Sequence, residues 1–138
     1  MLTTVPFKSV PGLDAPVTDV MHRGVVALPA SATLADAAAA MRDNKVHAVL
    51  ITGSDASPLG WVTSRGILHN HALDWTTDAS AIAAITQPAA SVAPRATLFD
   101  AMTVFVATGA SHILVAASAA EPPIGVIAES DLVAFMAA

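Results

Sequence analysis

The sequence contains no cysteine and no tyrosine. Without thiols there is no disulfide framework, no cysteine-ligated zinc or iron–sulfur cluster and no thiol nucleophile. Charge is scarce as well: only 12% of residues are charged, and six Lys+Arg against eleven Asp+Glu leave a net charge of −5. The cations Lys8, Arg23, Arg42, Lys45, Arg65 and Arg95 are scattered and form no stripe. That pattern argues against a surface for duplex nucleic acid or an anchor for anionic lipid. No apolar run is long enough to span a bilayer, because Asp36, Arg42 and Asp43 interrupt the Ala-rich stretch and Glu121, Pro122 and Pro123 interrupt the later one. The segment MLTTVPFKSVPGLDAP has neither a basic n-region nor an apolar h-region, so the chain is expected to be cytoplasmic.

Catalytic signatures are missing too. There is no Gly-x-Ser-x-Gly elbow and no Gly-x-x-x-x-Gly-Lys phosphate loop, and the neighbouring carboxylates Glu129 and Asp131 diverge on a helical turn. The expectation is a protein that is not an enzyme. His69-Asn70-His71 spells a metal pair, but residues two apart on a helix face different ways, and no further ligand stands at a suitable spacing. No metal site is expected.

What the chain has is apolar material, 54% of its 138 residues. One small domain cannot hide so much of it, because its surface is large relative to its volume. Burial against a second copy, in a homodimer, is therefore expected.

The chain also contains an internal duplication. A shift of 65 residues places Gly60 on Gly125, Val62 on Ile127, Leu50 on Val115, His47 on His112, Pro29 on Pro94, Val20 on Ile85 and Val17 on Ile82. Between Pro29 and His47 the shift drops to 64, pairing Thr33-Leu34-Ala35-Asp36-Ala37 with Thr97-Leu98-Phe99-Asp100-Ala101, as a one-residue indel would. Each copy has one grammar. An amphipathic lead-in (Val17 to His22, Ile82 to Gln87) precedes a short extended piece (Val25 to Leu28, Ser91 to Ala93). A helix then starts where Thr33 or Thr97 caps free N–H groups, with Asp36 or Asp100 on the positive end of its dipole. Two apolar runs follow, Ala48 to Ile51 with Leu59 to Val62, and Ile113 to Ala116 with Ile124 to Ala128, each pair read as antiparallel strands. A closing helix runs from Ser64 to about Leu73 and from Glu129 to Ala137.

The predicted fold is α+β: two β-α-β-β-α repeats packed around a pseudo-two-fold axis. The expected parts are an arm at 1–15, a first repeat at 16–73, a linker at 74–81 and a second repeat at 82–138.

The ordered set Val17-Thr18-Asp19-Val20-Met21, the Pro29-to-Thr33 approach, Val46-His47 and Ser111-His112, Gly60-Trp61-Val62-Thr63, and Gly125-Val126-Ile127-Ala128-Glu129-Ser130-Asp131-Leu132 resembles a tandem pair of cystathionine-beta-synthase (CBS) domains over about residues 16–138. The resemblance implies a regulatory module with clefts for adenosine-containing ligands: AMP, ADP, ATP or S-adenosylmethionine. No obligatory cofactor is implied. A Gly-h-h-Thr/Ser-x-x-Asp turn would supply a hydroxyl and helix N–H groups near phosphate, and a carboxylate for the ribose hydroxyls. An ionised carboxylate only accepts, which suits a vicinal diol.

Both copies depart from that turn. The first reads Thr63-Ser64-Arg65-Gly66, keeping the hydroxyl and losing the carboxylate; the second reads Ala128-Glu129-Ser130-Asp131, the reverse. Carried over by resemblance, one site comprises Asp131, Ser130 and the Ala128 position, completed by Val46 and His47, with Met21 and the backbone at Pro16 lining the base. A weaker cleft uses Thr63, Arg65, Ser111, His112 and Thr86. The implied function is a sensor that passes its signal to an unknown effector protein. The alternative is a scaffold subunit whose nucleotide sites have decayed.

Overall fold

A computed structural model of the chain describes residues 12–71, 79–118 and 121–137. The proposed linker at 74–81 and the arm at 1–15 therefore fall largely outside the described residues. The described chain is mixed α and β. Its strands are β1 (His22–Arg23), β2 (Ala27–Pro29), β3 (Ala48–Thr52), β4 (Pro58–Thr63), β5 (Ser91–Val92), β6 (His112–Val115) and β7 (Gly125–Ala128). Its helices are α1 (Leu34–Asn44), α2 (Ser64–His71), α3 (Leu98–Thr108) and α4 (Glu129–Met136). From β2 to α2, and again from β5 to α4, the order is the expected strand, helix, strand, strand, helix.

The chain divides into two compact units that do not follow the repeats. One is Val25–Ala89; the other joins the chain up to Gly24 with the chain from Ala90 onward. The lead-in of each repeat thus packs with the other repeat's strands and helices.

In the Val25–Ala89 unit the sheet order is β2-β3-β4, with β2 parallel to β3 and β3 antiparallel to β4. Helix α1 starts where Thr33 accepts from the Asp36 N–H (3.2 Å) while the Asp36 carboxylate accepts from the Thr33 N–H (2.9 Å), a complete capping box. It stops at Lys45, whose left-handed backbone (φ 54°) cannot continue the helix. Leu34, Ala37 and Met41 fall on one stripe at helical spacing and meet Val49, Ile51 and Val62 of the sheet and Ile67 of α2. Ala81 and Ala84, from a 3-10 turn at Ala81–Ala84, complete this core.

The split unit repeats the plan. Its sheet order is β1-β7-β6-β5, with β5 parallel to β6 and β7 antiparallel to both β6 and β1. Thr97 and Asp100 cap α3 with the same reciprocal bonds (3.1 and 2.9 Å), and Gly109 ends it at φ 68°. Leu98, Ala101 and Phe105 of α3 pack with Leu132 of α4, Ile113 and Val115 of β6, Ile127 of β7, and Leu13 and Val17. Burying a side chain such as Leu34 or Leu98 stabilises by roughly 1.5–3 kcal/mol.

The exchanged lead-ins hold their places by backbone pairing. In one unit His22 pairs with Val126 and Arg23 with Gly125; in the other Gln87 bridges Trp61, whose N–H donates to the Gln87 carbonyl (3.0 Å). The lead-ins themselves are 3-10 turns (Val17–Asp19 and Ala81–Ala84), shorter than the amphipathic stretches read from sequence.

Candidate functional site

Each unit presents a strand running straight into a helix, β4 into α2 and β7 into α4. The turn is locked to the start of the central strand in the same way twice: the Ser64 N–H donates to the His47 carbonyl and the Glu129 N–H donates to the Ser111 carbonyl, both at 2.9 Å. These bonds satisfy one of the unpaired N–H groups at each helix start. Beyond them the turns differ, and each retains one half of a capping box.

At the β4–α2 turn the hydroxyl half survives. Thr63 is buried, and its Oγ1 accepts from the Gly66 N–H at 2.9 Å. No carboxylate stands opposite it, and a Cβ on Gly66 would lie 2.8 Å from Thr86 Oγ1, 3.0 Å from Thr63 Oγ1 and 3.1 Å from Thr86 Cγ2, so a side chain there would have to displace Thr86. Thr86 therefore fills the space that a side chain at position 66 would need. Arg65 is exposed on the first turn of α2.

At the β7–α4 turn the carboxylate half survives. Ala128 has no hydroxyl to offer, but its N–H donates to Asp131 Oδ2 at 2.9 Å. The other oxygen, Oδ1, accepts from Nε2 of His22 at 3.0 Å. An ionised carboxylate cannot donate, so the imidazole carries the hydrogen at Nε2. The Asp131 side chain is 23% exposed and that of His22 68%. His22 reaches Asp131 because β1 lies beside β7, and β1 lies that close because Gly125 has no side chain. A Cβ there would stand 2.6 Å from the His22 carbonyl oxygen and 2.7 Å from Met21 Sδ. Met21, half-buried, packs over this point, and Pro16 pairs by backbone with Thr97. Ser130 is exposed on the first turn of α4.

Two copies of one turn, each opening a helix after a Gly-bearing strand, occur at matched places in two units. The CBS domain family matches residues 17–72 and again 79–138. The chain belongs to the CBS-domain family. Structures of similar fold include a CBS-domain protein, PAE2072, of Pyrobaculum aerophilum in complex with AMP, with TM-score 0.75 and 22% identity over 88% of this chain and 98% of that one. Another is the AcuB protein of Vibrio cholerae, with TM-score 0.71 and 25% identity over 89% and 90%. A third is the CBS domain of a bacterial CNNM/CorC-family Mg2+ transporter in complex with ATP, with TM-score 0.73 and 17% identity over 91% and 89%. No curated protein matches the chain.

Within this CBS pair the residues named from sequence fall into two groups. Asp131, Ser130, Ala128, Met21, Pro16, Ser111 and His112 belong to the split unit; Val46, His47, Thr63, Arg65 and Thr86 belong to the Val25–Ala89 unit. The former group includes a second local pair, Ser111 Oγ and His112 Nδ1 at 2.9 Å. The latter brings Thr63 and Thr86 together around Gly66, with Val46 half-buried and His47 exposed. Sequence reasoning missed His22. A signal for it existed: Met21 and Thr86 are repeat equivalents and both were marked, and His22 and Gln87 are the next pair in that register.

A shallow pocket of about 250 Å³ lies elsewhere in the split unit, between Leu13, Asp14, Thr97, Phe99 and Asp100. Its lining includes none of the site residues named from sequence. Among the described residues no cluster of three or more His, Asp or Glu is arranged to hold a metal, and no helix is long and apolar enough to cross a membrane.

Proposed function

We propose that this CBS pair is a non-catalytic regulatory module that binds one adenosine nucleotide per chain, its ribose on the Asp131 carboxylate. The observation that carries the reading is the contrast between the two turns. Asp131 stands at the family's carboxylate position, half-buried, with an oxygen toward each of two donors. The equivalent position 66 has no carboxylate, and Thr86 stands in the space that one would need. AMP and ATP in two structures of the same fold support an adenosine ligand. The chain acts as a homodimer in this reading. Leu68 on α2 and Val133 on α4, repeat equivalents, are each 65% exposed, an apolar feature that a second copy would cover. Binding becomes a signal through different affinities for two arrangements of the module, which an effector protein then distinguishes.

The test is calorimetric titration with AMP, ADP, ATP and S-adenosylmethionine, using the wild type and Asp131→Asn. Asparagine keeps an oxygen to accept from the Ala128 N–H but turns the other acceptor into a donor. The expected result is a stoichiometry of one per chain and binding at least about tenfold weaker in the variant, the equivalent of one charge-assisted hydrogen bond. Heat with none of the four ligands would sink the reading. The scaffold alternative would then stand, favoured by the filled space at Gly66.

A further inference from the structure

We infer that His22 is a positioning residue for ribose recognition, holding the Asp131 carboxylate so that one acceptor direction on each oxygen is left for a vicinal diol. The inference rests on the nucleotide reading above and adds to it a residue from a different element of the fold. A carboxylate on a free side chain turns about its last bond, and only some orientations offer both oxygens to two hydroxyls at once. Here both oxygens are held from two sides: Oδ2 by the Ala128 N–H at 2.9 Å and Oδ1 by His22 Nε2 at 3.0 Å. An ionised carboxylate has about four lone-pair sites, so two held sites leave two open, one per oxygen. A bond from each side sets the plane of the group before any ligand arrives, which lowers the ordering cost of binding.

The internal duplication supplies a comparison within one molecule. The position equivalent to His22 is Gln87, and the position equivalent to Asp131 is Gly66. The imidazole therefore occurs in the copy that has a carboxylate to hold. The bond is also unsuited to a purely structural role. His22 is 68% exposed, and ion pairs at such sites add little to stability. Its backbone is already fixed by the pairing of β1 with β7 and by the close approach over Gly125.

The experiment measures dissociation constants of AMP and of 2′-deoxy-AMP for the wild type, His22→Ala, His22→Gln and Asp131→Asn, with thermal melts of each. His22→Ala is expected to melt within a few degrees of the wild type and to bind AMP about three- to tenfold more weakly, the effect of one hydrogen bond. Its loss for 2′-deoxy-AMP should be less than about twofold, because a single hydroxyl can follow a turning carboxylate where a diol cannot. His22→Gln, whose amide can donate from a similar reach, should restore most of the AMP affinity. Unchanged AMP affinity in His22→Ala would overturn the inference. So would tighter binding, which would make the imidazole a competitor of the ribose, and so would equal losses for the two ligands. If Asp131→Asn loses AMP while His22→Ala does not, the positioning role alone fails. If the wild type binds ATP and not AMP, the same comparison is made with ATP and 2′-deoxy-ATP; if it binds none of the four ligands titrated above, the nucleotide reading fails and the inference with it.

Discussion

Alanine in place of Gly66 sets two opposed effects against each other. Where the backbone suits both residues the change favours folding by about 0.4–1 kcal/mol, through the lower conformational freedom of alanine in the unfolded chain. Gly66 is buried in the first turn of α2 with a backbone that alanine can adopt, so this gain in the unfolded chain applies. The new methyl, however, would sit 2.8 Å from Thr86 Oγ1, 3.1 Å from Thr86 Cγ2 and 3.0 Å from Thr63 Oγ1. Thr63 cannot turn away without giving up its bond to the Gly66 N–H. Overpacking of this kind costs roughly 1–3 kcal/mol. The expected net effect of Gly66→Ala is therefore a loss of about 1 kcal/mol, or a fall in Tm of about 4 °C for a chain of this size.

A double-mutant cycle in urea isolates the cause. Thr86→Ala removes two of the three close atoms, the nearest among them, and since Thr86 is exposed its own effect should stay within about 0.5 kcal/mol. In that background Gly66→Ala should be neutral or stabilising, giving a coupling of about 1–2 kcal/mol. A Gly66→Ala protein more stable than the wild type, or a coupling below about 0.3 kcal/mol, would refute the account of a filled site. The same geometry carries a functional corollary: Gly66→Asp alone should be a poorer nucleotide site than Gly66→Asp with Thr86→Ala, because Thr86 must move to admit its Cβ.

Two further outcomes are expected. Thr33→Ala and Thr97→Ala each remove the hydroxyl half of a complete capping box, and each should lower stability by about 1 kcal/mol in urea unfolding; additivity of the two is expected because they serve different units, and a cost below about 0.3 kcal/mol for either would contradict the cap assignment. Asp55 is held below the ordinary aspartate range by the Ser57 hydroxyl, and by the Ser57 N–H, both of which donate to its carboxylate. A depressed carboxylate stabilises the fold above its unfolded pKa and loses that contribution as pH falls through the folded value; NMR titration should place its midpoint below that of an unstructured aspartate, and Ser57→Ala should raise it, whereas an unmoved midpoint would rule out the hydroxyl as the cause.

The parts of the fold that were legible in the sequence are those set by local chemistry. Thr33 with Asp36 and Thr97 with Asp100 announce helix starts because a capping box needs only four consecutive residues. The two hairpins were legible for the same reason, although His112 joins β6 and Ile124 falls outside β7. Strand β1 was not legible. It has two residues, and it exists because His22 pairs with Val126, more than a hundred positions away. The exchange of lead-ins between the units was hidden likewise, since nothing in Val17 to His22 states which sheet it joins. At the candidate site the sequence showed that position 66 lacks a carboxylate, but not that Thr86 occupies the space. The sequence names Asp131 but not the two donors that meet its oxygens, because the approach of His22 depends on the register of β1 on β7.

The two turns together separate what the fold requires from what a ligand would require. A helix start needs its first N–H groups satisfied, and half a capping box beside the bond to the central strand does this in each unit: Thr63 to the Gly66 N–H in one, Asp131 to the Ala128 N–H in the other. Either half thus meets this requirement of the helix start. Only one serves ribose recognition, because a hydroxyl at Thr63, buried and already bonded, offers no pair of acceptors, whereas a half-exposed carboxylate does. It follows that Asp131 as a cap explains only one of its oxygens. The second, turned to His22, is surplus to the needs of the helix, and that surplus is the physical ground for reading the β7–α4 turn as the binding turn.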